Sequence, residues 1–281
     1  MWPVVIALIG IVILLICALK LAAGPRAPWT GPRLIWSYWH STELPQVVQW
    51  CRASWVKWNP DYTILLLNKA NYAEYVDIPE SLAKHPAFND SETRFADLLR
   101  LFALAQHGGV WLDASVLVGA PLDSWLTPAE VNGFTIGKGV NGYPTLENWV
   151  FASQADSRFM QQWRDEFVQL ANHPTVKDYV SARREMGVNL DAIDSPEYLA
   201  MHVAAQKVLQ LDKYPLSSFN LTRAEDGPFR YLVKTNWQTD KALELACKSP
   251  RLRCPLLKLR GRERDALEKR DDLSLAKCGW V

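Results

Sequence analysis

The chain has 281 residues, 49% hydrophobic and 22% charged, an ordinary globular usage that disfavours both a disordered chain and a multi-span membrane protein. Lysine and arginine total 31 against 30 aspartates and glutamates, so the positive bias that nucleic-acid binding uses is missing and no nucleic acid is expected as a partner. Thirteen tryptophans are unusual; their broad faces suit stacking on sugars or bases, although most large aromatics fill cores.

From Val4 to Leu19 every residue is apolar or glycine, and the run continues to Ala23, which gives the roughly 20 residues needed to cross a bilayer. No Lys or Arg precedes it and no small-x-small site follows, so residues 1–23 are expected to form a retained transmembrane helix and not a cleaved signal peptide. Residues 24–32, rich in Pro and Gly, read as a stem, with one domain over residues 33–281. A single-pass membrane protein is therefore expected. Lys20, Arg26 and Arg33 after the span favour a cytoplasmic domain, whereas the sequons Asn89-Asp90-Ser91 and Asn220-Leu221-Thr222 favour a secretory or Golgi lumen.

Leu34 to Trp39 is apolar enough for a buried strand, Leu44 to Trp58 has helical spacing, and Tyr62 to Leu67 is a second strand. Strand, helix and strand make a βαβ unit, so the fold class is α/β, a mostly parallel sheet flanked by helices. The strongest helix runs from Glu92 to His107, with Phe95, Leu98, Leu99, Phe102 and Ala105 on its core side. Gly108-Gly109 ends it, since glycine readily takes the left-handed conformation of a helix C-cap. Val110 to Leu112 then enters the sheet. Phe134 to Ile136 predicts a short strand, Trp149 to Ala152 a strand or a helix start, and Asp156 to Leu170 and Pro196 to Leu211 two more helices. The mixed-charge run from Lys258 to Asp272 reads as a solvated helical face in preference to a binding patch. Of the five cysteines, Cys17 falls in the apolar segment and Cys51, Cys247, Cys254 and Cys278 outside it. None has zinc-knuckle spacing, and a Cys247–Cys254 bridge is open to an oxidising compartment.

Ligands of open α/β sheets gather outside the carboxyl ends of the strands, and Asp113 stands where one such strand ends. A carboxylate after a buried apolar run must be hydrogen-bonded, paired or metal-bound. A divalent cation bridging nucleotide phosphates would satisfy it, with oxygen ligands suiting Mg²⁺ or Mn²⁺; the bland alternative is a carboxylate that caps the following turn. Upstream, Arg94, Asp97 and Arg100 form a stripe at three-residue spacing, by itself only a surface ladder. The tight Gly-Gly turn brings that stripe toward Asp113, where Asp97 can accept from sugar hydroxyls and an arginine can balance phosphate.

The run Arg94-Phe95-Ala96-Asp97-Leu98-Leu99-Arg100, followed by Gly108-Gly109-Val110-Trp111-Leu112-Asp113-Ala114-Ser115, resembles the capsular polysaccharide synthesis proteins and the related glycosyltransferases of family 32, with their DXD motif. Ile35 to Trp39, Cys51 to Pro60 and Glu147-Asn148-Trp149-Val150 are similar to the same family, and the resemblance covers about Arg33 to Leu170. It implies a GT-A fold, a UDP- or GDP-sugar donor, a glycan or glycoconjugate acceptor, transfer to a hydroxyl with retention, and Mn²⁺ or Mg²⁺. Carried over by position, Asp113 is the first DXD carboxylate, on metal or ribose, and Asp97 and Arg94 hold the donor sugar. Arg100 and Gly109 belong to the same donor-binding block, and Trp36 stacks on the base. Ser115 stands where the second Asp would be and is a poorer ligand. A cation would then rest on Asp113 and phosphate oxygens, with His202 or Asp226 to complete the shell, or be dispensable. A catalytically silent nucleotide-sugar or glycan-binding membrane protein is the alternative reading.

Overall fold

The computed structural model describes residues 27–248, 255–270, 275 and 278–281. The expected transmembrane helix over residues 1–23 lies outside the described residues, and no helix among those described is long and apolar enough to cross a membrane.

The chain opens with β1 (Leu34–Tyr38), α1 (Gln46–Trp58) and β2 (Thr63–Leu67), then two short helices, α2 (Glu80–Ala83) and α3 (Pro86–Asn89). The helix α4 (Glu92–His107) leads into β3 (Gly109–Leu112) and β4 (Val116–Val118), followed by β5 (Val131–Thr135) and β6 (Leu146–Ser153). Then come α5 (Arg158–Phe167), α6 (Val176–Glu185), α7 (Ala200–Gln210), β7 (Phe219–Arg223), α8 (Arg230–Lys234), α9 (Thr239–Lys248), β8 (Leu256–Lys258) and α10 (Gly261–Glu268).

Six strands form one sheet in the order β2-β1-β3-β6-β5-β7. β1 runs parallel to β2 and β3, β7 runs parallel to β5, and β6 is antiparallel to both of its neighbours. The expected α/β class with a parallel majority is therefore found, with β6 as the reversed strand. Alternation along the strands divides the core. Ile35, Val110, Leu112 and Val150 join Trp55 and Leu117 on one face. Trp36, Trp111 and Phe151 join Leu98, Trp163 and Met201 on the other. With both faces covered, each large side chain contributes about 1.5–3 kcal/mol by leaving water.

The α4–β3 connection follows the local sequence closely. Ser91 caps the helix by accepting from the Arg94 N–H, which satisfies one of the orphan donors of the first turn. Gly108 ends it at φ 65° with its N–H on the Leu104 carbonyl. Gly109 is required for a second reason: at φ 96°, a Cβ here would lie 2.8 Å from the Leu34 carbonyl oxygen, so only glycine lets β3 approach β1.

Several boundaries differ from the sequence reading. The stretch around Trp149 is a strand. The helix expected over 156–170 stops at Phe167 and continues as a 3₁₀ turn over Val168–Asn172. Asn220 of the second sequon sits in β7, where its amide donates to Asn132 Oδ1 at 2.9 Å, while Asn89 is exposed at the end of α3. Cys247 is bonded to Cys278, which corrects the Cys247–Cys254 pairing; Cys254 itself lies outside the described residues, and sequence spacing does not encode which thiols a fold brings together. Cys51 is buried and free. Finally, β4 pairs antiparallel with β8, so the C-terminal segment returns beside the turn that follows β3.

Candidate active site

Asp97 and Arg100 of α4 lie beside the carboxyl end of β3, where Asp113 follows Leu112, and the three side chains converge there. Asp97 and Arg100 from α4 are 2% and 4% exposed. Arg100 Nη2 lies 3.3 Å from Asp97 Oδ1 and 3.3 Å from Asp113 Oδ1. Its guanidinium covers the Trp111 ring at 4.9 Å and donates to the Asn148 carbonyl. One buried cation is thus shared by a carboxylate of the helix and a carboxylate of the strand end. Asn148 also donates to Asp97 Oδ1 at 3.1 Å. Burial pushes the Asp97 carboxyl up to about 6, against the pull of Arg100, because a desolvated carboxylate disfavours its charged form.

Asp113 is held by its backbone and by both oxygens. Its N–H extends the ladder to the Trp149 carbonyl at 2.8 Å, and its own carbonyl accepts from Val116 at 3.0 Å. Oδ1 accepts from the Trp111 indole at 3.0 Å, and Oδ2 from Lys258 Nζ at 2.7 Å. Burial works to raise its pKa, but Lys258 and then Arg100 outweigh burial and the net direction is down. The expected satisfaction of this carboxylate is therefore achieved by ion pairing. Lys258 arrives on β8, also donates to Ser115 Oγ at 3.1 Å, and lies 5.6 Å from the centre of the Trp149 ring.

Two cavities flank this cluster. One of about 910 Å³ is lined by Asp97, Glu147, His202 and the exposed Tyr198, and a smaller one of about 420 Å³ by Trp39, His40, Ser115, Arg260 and Arg264. Arg100, Asp113 and Lys258 line both, so the ion cluster stands at their junction. Glu147 of β6 is 7% exposed with Oε1 unpartnered. Burial pushes its carboxyl up to about 7, and the Trp149 indole and Lys258 pull the other way less strongly.

The structure brings Asp97, Arg100, Asp113, Ser115 and His202 to the cavities and leaves Trp36, Arg94, Gly109 and Asp226 outside their linings. Trp36 corrects the expected base-stacking role. It is 2% exposed, donates to the Gly108 carbonyl at 2.9 Å and stacks on His107, because the strand's period of two turns it into the core. Trp39, just beyond β1, lines the smaller cavity beside Tyr38 and Tyr198, with the His40 ring at 5.0 Å and the Arg264 guanidinium at 5.8 Å. Arg94 donates through Nε to the Ala87 carbonyl and so ties α4 to α3. Asp226 ends a 3₁₀ turn and accepts from Arg230 through its carbonyl. His202 is buried with Nδ1 unpartnered, and burial, aided by Arg100, lowers its pKa to about 4. Sequence signals give no role to Lys258 or Glu147. Glu147 stands in a stretch that the family resemblance marks, whereas nothing local distinguishes Lys258 within its mixed-charge run.

The donor set does not fit the implied Mn²⁺ or Mg²⁺. Such ions need at least one or two free carboxylates besides phosphate oxygens, yet both Asp113 oxygens face cations and Ser115 faces the same ammonium. Among the described residues no group of three or more His, Cys, Asp or Glu is placed to hold a metal ion.

Comparison with known proteins gives the family. An O-glycosyltransferase of Annulohypoxylon truncatum is 28% identical over 165 residues, 52% of this chain and 39% of that protein. Inositol phosphoceramide mannosyltransferase 3 of Schizosaccharomyces pombe is 29% identical over 97 residues, 34% of this chain and 27% of that protein. The matched stretches thus span well under half the length of these relatives. Among solved structures, the galactosyltransferase LgtC in complex with donor and acceptor sugar analogs has a TM-score of 0.42 at 13% identity, covering 88% of this chain and 100% of that one. A family model described as capsular polysaccharide synthesis protein matches residues 25–208, more than half of the sequence and all of the segment that carries Asp97, Asp113 and Glu147. The chain belongs to the capsular polysaccharide synthesis protein family.

Proposed function

We propose that this chain is a glycosyltransferase that moves a sugar from a UDP- or GDP-linked donor to a hydroxyl of a glycan or glycoconjugate, with retention, while anchored to a membrane by residues 1–23. The observation that carries the reading is the buried sharing of Arg100 by Asp97 and Asp113 at the junction of two cavities. The smaller cavity offers Trp39 and His40 to a base and Arg260 and Arg264 to charge. In the larger one, Asp97 and Glu147 accept from sugar hydroxyls. Relatives whose names include O-glycosyl and mannosyl transfer support the same chemistry.

In the reaction the bond from the sugar anomeric carbon to the diphosphate oxygen breaks, and its electron pair leaves with the phosphate. The acceptor hydroxyl oxygen bonds to that carbon from the same face, and its proton passes to the released phosphate oxygen. Fixed cations beside the departing diphosphate stabilise the growing negative charge without reorganising. Full-length protein in detergent, offered UDP- and GDP-sugars, is expected to release or transfer sugar. Asp113→Ala should reduce this by at least about 100-fold, the scale on which single preorganised electrostatic groups act, with an unchanged circular dichroism spectrum. Undiminished turnover in that variant defeats the assigned role, and binding without turnover across all donors favours the silent nucleotide-sugar or glycan binder.

A further inference from the structure

We infer that the Lys258 ammonium holds the donor diphosphate at Asp113 in place of a divalent cation, an inference that rests on the sugar-transfer reading above. Lys258 Nζ bridges the two ends of the motif, 2.7 Å from Asp113 Oδ2 and 3.1 Å from Ser115 Oγ. A metal ligated by those same two residues would have to displace it. The displaced ammonium and the Arg100 guanidinium, 3.3 Å from Asp113 Oδ1, would then face a like charge in a site where, among the described residues, Asp113 is the one carboxylate paired with both. The third motif position fits this arrangement: a serine hydroxyl is a weak ligand for a hard cation but a good acceptor for an ammonium.

The ammonium is also placed to reach a ligand. An ammonium has three donors, and Asp113 and Ser115 occupy two of them. The side chain is 12% exposed and lines both cavities, so its remaining donor is available where the two spaces meet. Its stem is fixed on β8, whose backbone pairs with β4 from Val116 to Val118, and the Trp149 ring flanks its charge. The position of this cation is therefore set by the sheet before any ligand enters. Arg260 and Arg264, two and six residues further along, line the smaller cavity, so a nucleoside diphosphate laid across the junction meets positive groups along its length.

The test uses full-length protein in detergent with EDTA, titrated calorimetrically with UDP, GDP and inorganic pyrophosphate. At least one diphosphate should bind, Mn²⁺ added in excess over the EDTA should leave its affinity unchanged, and Lys258→Ala should weaken it about 10- to 100-fold, the loss of one charge-assisted hydrogen bond. Lys258→Arg, which keeps the charge, should recover most of that loss. Binding that appears only with Mn²⁺, absence of binding by every diphosphate, or full affinity in Lys258→Ala overturns the inference. The EDTA measurement on the unaltered protein decides whether a metal is needed even where Lys258→Ala does not fold, and Lys258→Gln then tests the lysine itself. Diphosphate binding in EDTA without turnover of any nucleotide sugar would defeat the transfer reading and leave the lysine assignment standing. Turnover that requires Mn²⁺ would do the reverse.

Discussion

Glu147 and Asp97 are both desolvated carboxyls at the larger cavity, and their titration gives the site its pH dependence. Burial raises Glu147 to about 7, above the ordinary value near 4.3 of an unfolded chain. Between those two values the native state keeps a proton that the unfolded chain has released, so stability is highest in acid and falls as pH rises through about 7. Glu147→Gln should flatten that fall, seen as melting temperatures that change less between pH 5 and 8 than those of the parent. The ionised form is the better acceptor for sugar hydroxyls, so kcat/KM for the donor should rise through about pH 7 and lose that rise in the variant. A profile identical in both proteins would remove Glu147 from substrate binding. Trp36 shows strand parity overriding residue type. An aromatic at the end of an apolar run is attractive for base stacking, but strand parity decides which face it meets, and that sheet face is filled from the other side by α4.

The helix α4 and its passage into β3 are the most legible elements of the chain. The apolar spacing and the paired glycines are local signals, and the helix has the bounds that spacing predicts, Glu92 to His107. Gly109→Ala should cost about 1–3 kcal/mol, the scale of strain at a left-handed position, measured as a lower denaturation midpoint in urea. A neutral outcome would mean that β3 can shift away from Leu34. β8 was illegible for the opposite reason. It has three residues, and its partner β4 lies about 140 positions earlier, so no periodicity within the mixed-charge run marks it. The run does contain a solvated helix, α10, as its spacing suggests. Lys258, at the first position of the run, belongs instead to a strand, and the sequence reading therefore recovered the acidic half of the ion cluster and missed half of its cations.

At the scale of the molecule, a sheet with its parallel strands and a site beside their carboxyl ends could be read from the sequence, whereas the closure of the C-terminal segment could not. The Cys247–Cys278 bridge joins positions 31 residues apart in sequence, and Lys258 lies inside that loop. Loop-closure entropy predicts that the bridge stabilises the segment by about 3–4 kcal/mol. Reduction, or Cys278→Ser, should lower the unfolding midpoint accordingly and should depress donor turnover more than it disturbs the central sheet, followed by hydrogen exchange at α4 and β3. Equal loss of protection in both regions would show that the loop and the sheet unfold together. The long return of Lys258 also has a consequence for the order in which the molecule becomes competent. Asp97, Arg100 and Asp113 are synthesised early and can meet as soon as the first half of the chain has collapsed, but the ammonium opposite Asp113 is translated about 145 positions later. A nascent or truncated chain holds Asp113 with Arg100 but without the ammonium at its other oxygen, so on the proposed reading competence for the nucleotide waits for the segment that carries Lys258.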